Sequence, residues 1–171
     1  TKDQPMIVAG NLAQEKAGYL YALPAEPAYN LYGVGFDESR ALENETYFGS
    51  FLPDELPAAL EGGFGLVWGN SENPEDERDY YKENISYKLS TYLSAGLPVV
   101  VPDYLSNADY IREKGLGFVA SSLEEANRLV QDCTEEEYAQ MVRKAQYTSY
   151  LIRNGYFTKK LFVDTIMALG E

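Results

Sequence analysis

The stretch Asn84-Ile85-Ser86-Tyr87-Lys88-Leu89-Ser90-Thr91-Tyr92-Leu93-Ser94-Ala95-Gly96-Leu97-Pro98-Val99-Val100-Val101 contains a helix, its stop signal and a buried strand in direct succession. Leu89, Tyr92 and Leu93 recur at helical spacing and predict a helix over residues 85–95 with one apolar face. Asn84 is an acceptable cap for its start. Gly96 stands where the chain must leave the helix through a backbone conformation that glycine tolerates. The run from Pro98 to Val101, bounded by Pro102, is apolar without alternation, as in a strand covered on both faces. A helix feeding such a strand is half of a βαβ unit.

The same alternation extends in both directions. Upstream, residues 6–9 form an apolar strand that stops at Gly10-Asn11, and a helix is expected over 14–23, ended by Pro24. Strands are predicted at 29–34, 46–51 and 64–68, with a short helix at 53–60 broken by Gly62-Gly63. Downstream come a helix at 107–114, Gly115 and a strand at 117–119. Ser122 with Glu125, and Thr134 with Glu137, read as capping boxes opening two further helices, to about 132 and 153. After Asn154-Gly155 a last helix covers 158–169. Strands alternating with helices predict an α/β fold: one Rossmann-like parallel sheet with helices on both faces, a single domain over 1–171. In such sheets ligands bind beyond the carboxyl ends of the strands, beside helix N-termini. Three places qualify: after Ala9, after Trp68, and before the helix that opens the quoted stretch.

Composition narrows the chemistry. The 171 residues, 45% hydrophobic, suffice for a core without disulfides or metals. A single cysteine, Cys133, excludes an intramolecular disulfide and suits a reducing cytoplasm. No apolar stretch approaches the roughly 20 residues that span a bilayer, and the start Thr1-Lys2-Asp3-Gln4 does not read as a signal peptide. A net charge of −13 argues against nucleic acid and against an anionic membrane surface. It leaves room for one phosphorylated small molecule, held by a few backbone amides and a lysine. The chain has no histidine, which removes Ser-His-Asp and Cys-His nucleophile systems and any histidine-based zinc site.

Two segments could carry chemistry. Gly10-Asn11-Leu12 joins a strand to a helix, where glycine lets the backbone approach a ligand. A plain strand-to-helix turn would look the same. In the quoted stretch, Lys88 sits in the first turns of its helix, where the macrodipole favours an acid, so its charge does not serve the helix. There it could hold a diphosphate or be an ordinary surface lysine, and Tyr87 could stack on a base or pack. The acidic cluster Glu72, Glu75, Asp76, Glu77 and Asp79 lacks the glycine-centred spacing of a calcium loop and reads as a solvated, mobile loop. Tyr80 and Tyr81 beside it offer rings to a sugar or to the core.

From Gly65-Leu66-Val67-Trp68 through Asn84 to Val100, the sequence resembles the C-terminal domain of the bacterial glucosyltransferases that extend glycans on serine-rich-repeat adhesins, and the related galactofuranosyltransferases. Those typically read N-x-P-H-K-x-S-x-Y-L-x-x-G-L-P-V here. Ala9-Gly10-Asn11-Leu12, Asn107 through Gly117-Phe118-Val119, and Asn154-Gly155-Tyr156-Phe157 are similar as well. The resemblance implies the donor half of a two-domain GT-B glycosyltransferase. This chain would hold a UDP-sugar, an N-terminal domain would hold a glycan or glycoprotein acceptor, and neither a metal nor a cofactor is expected. It places Asn11 near the diphosphate, Asn84 and Lys88 toward the nucleotide phosphates or ribose, and Ser90 and Thr91 along the same pocket, to which the residue reading adds Gly10 and Tyr87. The 158–169 helix would pack back on the N-terminal domain, or meet another copy, through Leu161, Phe162 and Ile166. Three positions depart from the pattern: Ser86-Tyr87 replaces Pro-His, and Thr91 occupies the place where many retaining GT-B enzymes carry a ribose-binding glutamate, eight residues after Glu83. A non-catalytic Rossmann-like module supporting a partner glycosyltransferase is the alternative. A free-standing receiver-type domain has only Asp103, behind Pro102, as a phosphate-accepting aspartate.

Overall fold

Met6-Ile7-Val8-Ala9 lies in an inner strand of a sheet covered on both faces, which is why all four residues are buried. The structure, a computed structural model, describes residues 1–69, 79 and 81–170. Six strands run parallel: β1 (Met6–Asn11), β2 (Tyr29–Val34), β3 (Glu45–Tyr47), β4 (Gly65–Leu66), β5 (Val99–Pro102) and β6 (Gly117–Ala120). Their spatial order is β3-β2-β1-β4-β5-β6. The chain winds outward from β1 in one direction, then returns to β4 and continues in the other. The order reverses between β1 and β4, and a ligand crevice belongs there.

Helices among the described residues include α1 (Gln14–Ala17), α2 (Leu56–Ala59), α3 (Tyr87–Ser94), α4 (Ala108–Lys114), α5 (Leu123–Asp132), α6 (Glu135–Arg153) and α7 (Tyr156–Leu169). Successive side chains of β1 point to opposite faces. Met6 and Val8 join one core cluster with Leu20, Ala126 and Val130, under α1, α5 and the start of α6. Ile7 and Ala9 join the other with Leu89, Tyr92 and Ile111, under α3 and α4. Helix α6, 19 residues and about 28 Å long, ties the two layers together: Tyr138 packs in the first cluster and Ile152 against the second.

The element types match the sequence reading except that residues 79 and 81–83, within the stretch 69–83 that reads as a loop, are helical, and several boundaries move. The helix expected over 14–23 is α1 followed by a 3-10 turn, Gly18–Ala22, because Ala17 leaves the helical region at φ −143°. The tighter turn carries Tyr19 and Leu20 into the core. The third strand ends at Tyr47, not 51, where the chain turns at Gly49. Helix α2 is only one turn long, and β4 pairs over two residues, although the Val67 N–H still donates to the Val100 carbonyl at 2.9 Å. Ser86, rather than Asn84, takes the cap position of α3, with an extended ψ of 126°. At its other end Gly96 has φ +77°, and the N–H groups of Gly96 and Leu97 donate back to Leu93 and Tyr92 in a Schellman closure. Thr134 and Glu137 form the expected capping box. At Ser122 only half forms: its hydroxyl accepts from the Glu125 N–H, while the Glu125 carboxylate accepts from Ser121 N–H and Oγ. The acidic cluster and Tyr80 lie outside the described residues except Asp79, which pairs with Lys82 at 2.9 Å. The Tyr81 ring packs 6.2 Å from that of Tyr104.

Helix α7 begins two residues earlier than expected and buries no side chain. Leu161, Phe162 and Ile166 are 65–67% exposed. No helix among the described residues is long and apolar enough to cross a membrane.

Candidate nucleotide site at the strand carboxyl ends

All three places singled out by the strand-end rule converge on the point where the strand order reverses. The Lys88 side chain runs from the first turn of α3 across the end of β1, and its Nζ donates to the Trp68 carbonyl at 2.6 Å. A Cβ built on Gly10 would stand 3.5 Å from Lys88 Cε, so the lysine stem lies directly against the β1 backbone. Gly10 is opposite Gly33 in the β1–β2 register. Ser86, at the cap position of α3, makes no side-chain cap hydrogen bond to the first turn. A cation and the start of a helix therefore face the same end of the sheet, an arrangement suited to phosphate.

Beside this point lies a cleft of about 200 Å³ lined by Gly10, Tyr32, Gly33, Phe51, Leu56 and Tyr87. Its walls are aromatic. Tyr32 stacks on Phe48 at 4.8 Å between ring centroids and meets Phe51 at 5.9 Å. Burial pushes the Tyr32 phenol above its ordinary pKa, and its oxygen accepts from the Glu61 N–H at 3.1 Å. Tyr87 is 64% exposed at the rim. A larger groove of about 680 Å³, lined in part by Lys114, Arg143, Lys144 and Tyr147, adjoins Leu116 just before β6. That is the amino-end pole of the sheet, opposite to where α/β sheets place their ligands.

Gly10, Tyr87 and Lys88 thus come together. Asn11 is adjacent, but its Oδ1 accepts from the Ala13 N–H at 3.0 Å, closing a turn. Asn84 precedes the cap, and its carbonyl accepts from Ser106 Oγ at 3.3 Å. Ser90 is exposed on the surface of α3. Thr91 does not line the pocket: packing of the helix on the sheet leaves it 5% exposed, and its hydroxyl donates back to the Tyr87 carbonyl at 3.0 Å. Among the described residues no cluster of Cys, Asp or Glu could hold a metal ion.

Tyr92 is the residue that sequence reasoning missed; its spacing marked it only as core. It lies one turn beyond Lys88 on the same helix, fully buried. Its hydroxyl accepts from the Ala9 N–H at 2.7 Å and donates to the Leu66 carbonyl at 3.3 Å. Burial raises its pKa well above the ordinary tyrosine value, so the proton that makes the second bond stays in place. Its ring lies against Gly65, where a Cβ would overlap it.

Comparison with known proteins gives the family and the fold. Residues 6–165 match the family described as "Glucosyltransferase 3-like, C-terminal domain". The chain is 52% identical to Glucosyltransferase 3 of Streptococcus gordonii over 132 residues, 77% of this chain and 40% of that protein. It is 31% identical to beta-1,6-galactofuranosyltransferase WbbI of Escherichia coli K12 over 96% of this chain and 50% of that protein. The chain therefore spans about half the length, or less, of these relatives. The structure of WaaG, a glycosyltransferase involved in lipopolysaccharide biosynthesis, superposes with a TM-score of 0.54 at 19% identity, covering 88% of this chain and 43% of WaaG. The strand order and the helices on both faces are those expected of a GT-B C-terminal domain. The chain belongs to the glucosyltransferase 3-like glycosyltransferases, as their C-terminal domain.

Proposed function

We propose that this chain supplies the donor site of a GT-B glycosyltransferase that moves a hexose from a UDP-sugar to a hydroxyl of a glycan or glycoprotein. One observation carries the reading: Lys88, in the first turn of α3, lays its stem against Gly10 and holds its ammonium beside the Trp68 carbonyl at the switch point of the sheet. In the transfer an acceptor hydroxyl forms the new bond to the anomeric carbon, the bond from that carbon to the diphosphate breaks, and negative charge grows on the departing UDP. A fixed ammonium and backbone amides stabilise that charge where it develops, which favours the transition state over the bound donor. The proton leaving the acceptor goes to a base outside this chain. Gly10 and Asn11 border the diphosphate, Tyr87 and Asn84 flank the nucleotide, and Ser90 lies along the same helix. Helix α7 packs through its apolar face on the remainder of the longer enzyme.

Calorimetric or NMR titration with UDP tests the assignment. The wild-type chain is expected to bind UDP weakly and to transfer no sugar on its own, and Lys88→Ala is expected to weaken binding at least tenfold, the scale of a lost charge-assisted contact. Failure of the wild type to bind millimolar UDP, or binding indifferent to Lys88, overturns the site.

A further inference from the structure

Strands β1 and β4 pair at a single position, Ile7 with Gly65, where the Ile7 N–H donates to the Phe64 carbonyl at 2.7 Å. In a parallel ladder the next bond from β1 would run from the Ala9 N–H to the Leu66 carbonyl. These two groups are the ones the Tyr92 hydroxyl joins, accepting from one and donating to the other. The hydroxyl has replaced a backbone bond with a two-bond bridge, and the strands are held apart from that point toward their carboxyl ends. Both backbone groups remain satisfied in a dry interior, where either left alone would be costly.

We infer that Tyr92 is a positioning residue that sets the width of the donor crevice: its hydroxyl wedges β1 from β4 and fixes the height of Lys88 above the gap. The covalent frame of α3 makes the two effects one. Lys88 and Tyr92 are four residues apart on α3, so the residue pinned in the sheet anchors the turn that presents the ammonium. Gly65 permits this, because only a residue without a side chain lets the Tyr92 ring lie flat on β4. Tyr92 bears on donor binding only if the donor sits where proposed above.

The test uses Tyr92→Phe, which keeps the ring and removes the bridge. Through-hydrogen-bond NMR couplings report the ladder directly. The coupling from the Ala9 amide to the Leu66 carbonyl is expected to be absent in the wild type and present in Tyr92→Phe, whose strands close onto each other. UDP titration at a temperature where both proteins are fully folded is expected to show affinity reduced about tenfold in the variant, equivalent to ~1.4 kcal/mol. An Ala9–Leu66 coupling in the wild type, or unchanged UDP affinity in a folded Tyr92→Phe, overturns the inference. Should Tyr92→Phe fail to fold, 4-aminophenylalanine at this position keeps a bridging donor and acceptor and is expected to retain wild-type affinity; a loss there overturns it equally. A wild type that binds no UDP refutes the donor site itself, while the couplings still decide whether the wedge exists.

Discussion

Gly33 lies so close to Gly10 across the β1–β2 pair that any Cβ at Gly33 would overlap the Gly10 carbonyl. Its φ of +147° adds a conformation that side-chain-bearing residues rarely adopt. Gly33→Ala is therefore expected to destabilise the domain by more than ~3 kcal/mol, since backbone must move as well as strain. Gly49 provides the control: its φ is +80° and a Cβ there would have nothing within 4 Å, so Gly49→Ala should cost only about 1–2 kcal/mol. Denaturant unfolding of the two variants decides it, and equal losses would refute the steric account.

If Lys88 acts as a charge on phosphate, its contribution falls with ionic strength and requires no bridging metal. Wild-type affinity for UDP is expected to weaken as salt rises and to be unchanged by EDTA. Lys88→Ala should bind UDP weakly with a flatter salt dependence and unfold within about 1 kcal/mol of wild type, because its stem is only part-buried. A fall in wild-type affinity on adding EDTA would show that a cation shares the site.

Glu45 predicts a pH effect at the other pole of the sheet. Burial raises its pKa above the ordinary 4.5, partly offset by the Leu42 N–H that its Oε2 accepts at 2.8 Å. Among the described residues its Oε1 is buried without a partner. Folding thus favours the protonated form of Glu45 relative to the unfolded chain. The stability linked to it is fully present below about 4.5 and is lost as pH rises through the elevated folded value. Asp37 and Glu137 act with the opposite sign, their pKa values being lowered chiefly by hydrogen bonds from Ser39 and Thr134. The difference between wild type and Glu45→Gln, followed by denaturant midpoint from pH 4 to 7, isolates the Glu45 share. Wild type should lose stability relative to the variant across that rise; parallel curves would contradict it.

Helix α7 buries no side chain, so ending the chain at Asn154 should leave the fold intact. The truncated chain is expected to keep one cooperative transition, a near-unchanged melting temperature and the same UDP affinity, and to aggregate less once Leu161, Phe162 and Ile166 are gone. A large drop in melting temperature would place α7 within the domain's own core.

The crevice that forms the candidate site was legible in the sequence, because strand ends are marked by local chemistry. Gly10 closes an apolar run, Trp68 closes another, and Lys88 stands in a helix start where its charge opposes the macrodipole. The details were not legible where two readings share one pattern. Thr91 and Lys88 are three apart on α3, close enough for both to be assigned to one pocket, yet packing on the sheet turned Thr91 inward against the Tyr87 carbonyl. Asn11 has the right side chain beside the crevice, but a local turn took its oxygen.

By itself the sequence determined the alternation of strands and helices, the stop at Gly96, the absence of histidine chemistry and the family, since these depend on residue type and short-range spacing. Only the tertiary structure decided that β4 returns beside β1, that Tyr92 fills the rung between them, and that Gly65 and Gly33 are bare because other atoms occupy the space of a side chain. Periodicity identifies which face of an element is buried. It does not say which backbone that face will meet, because pairing between strands far apart in the chain is settled by the packing of the whole sheet.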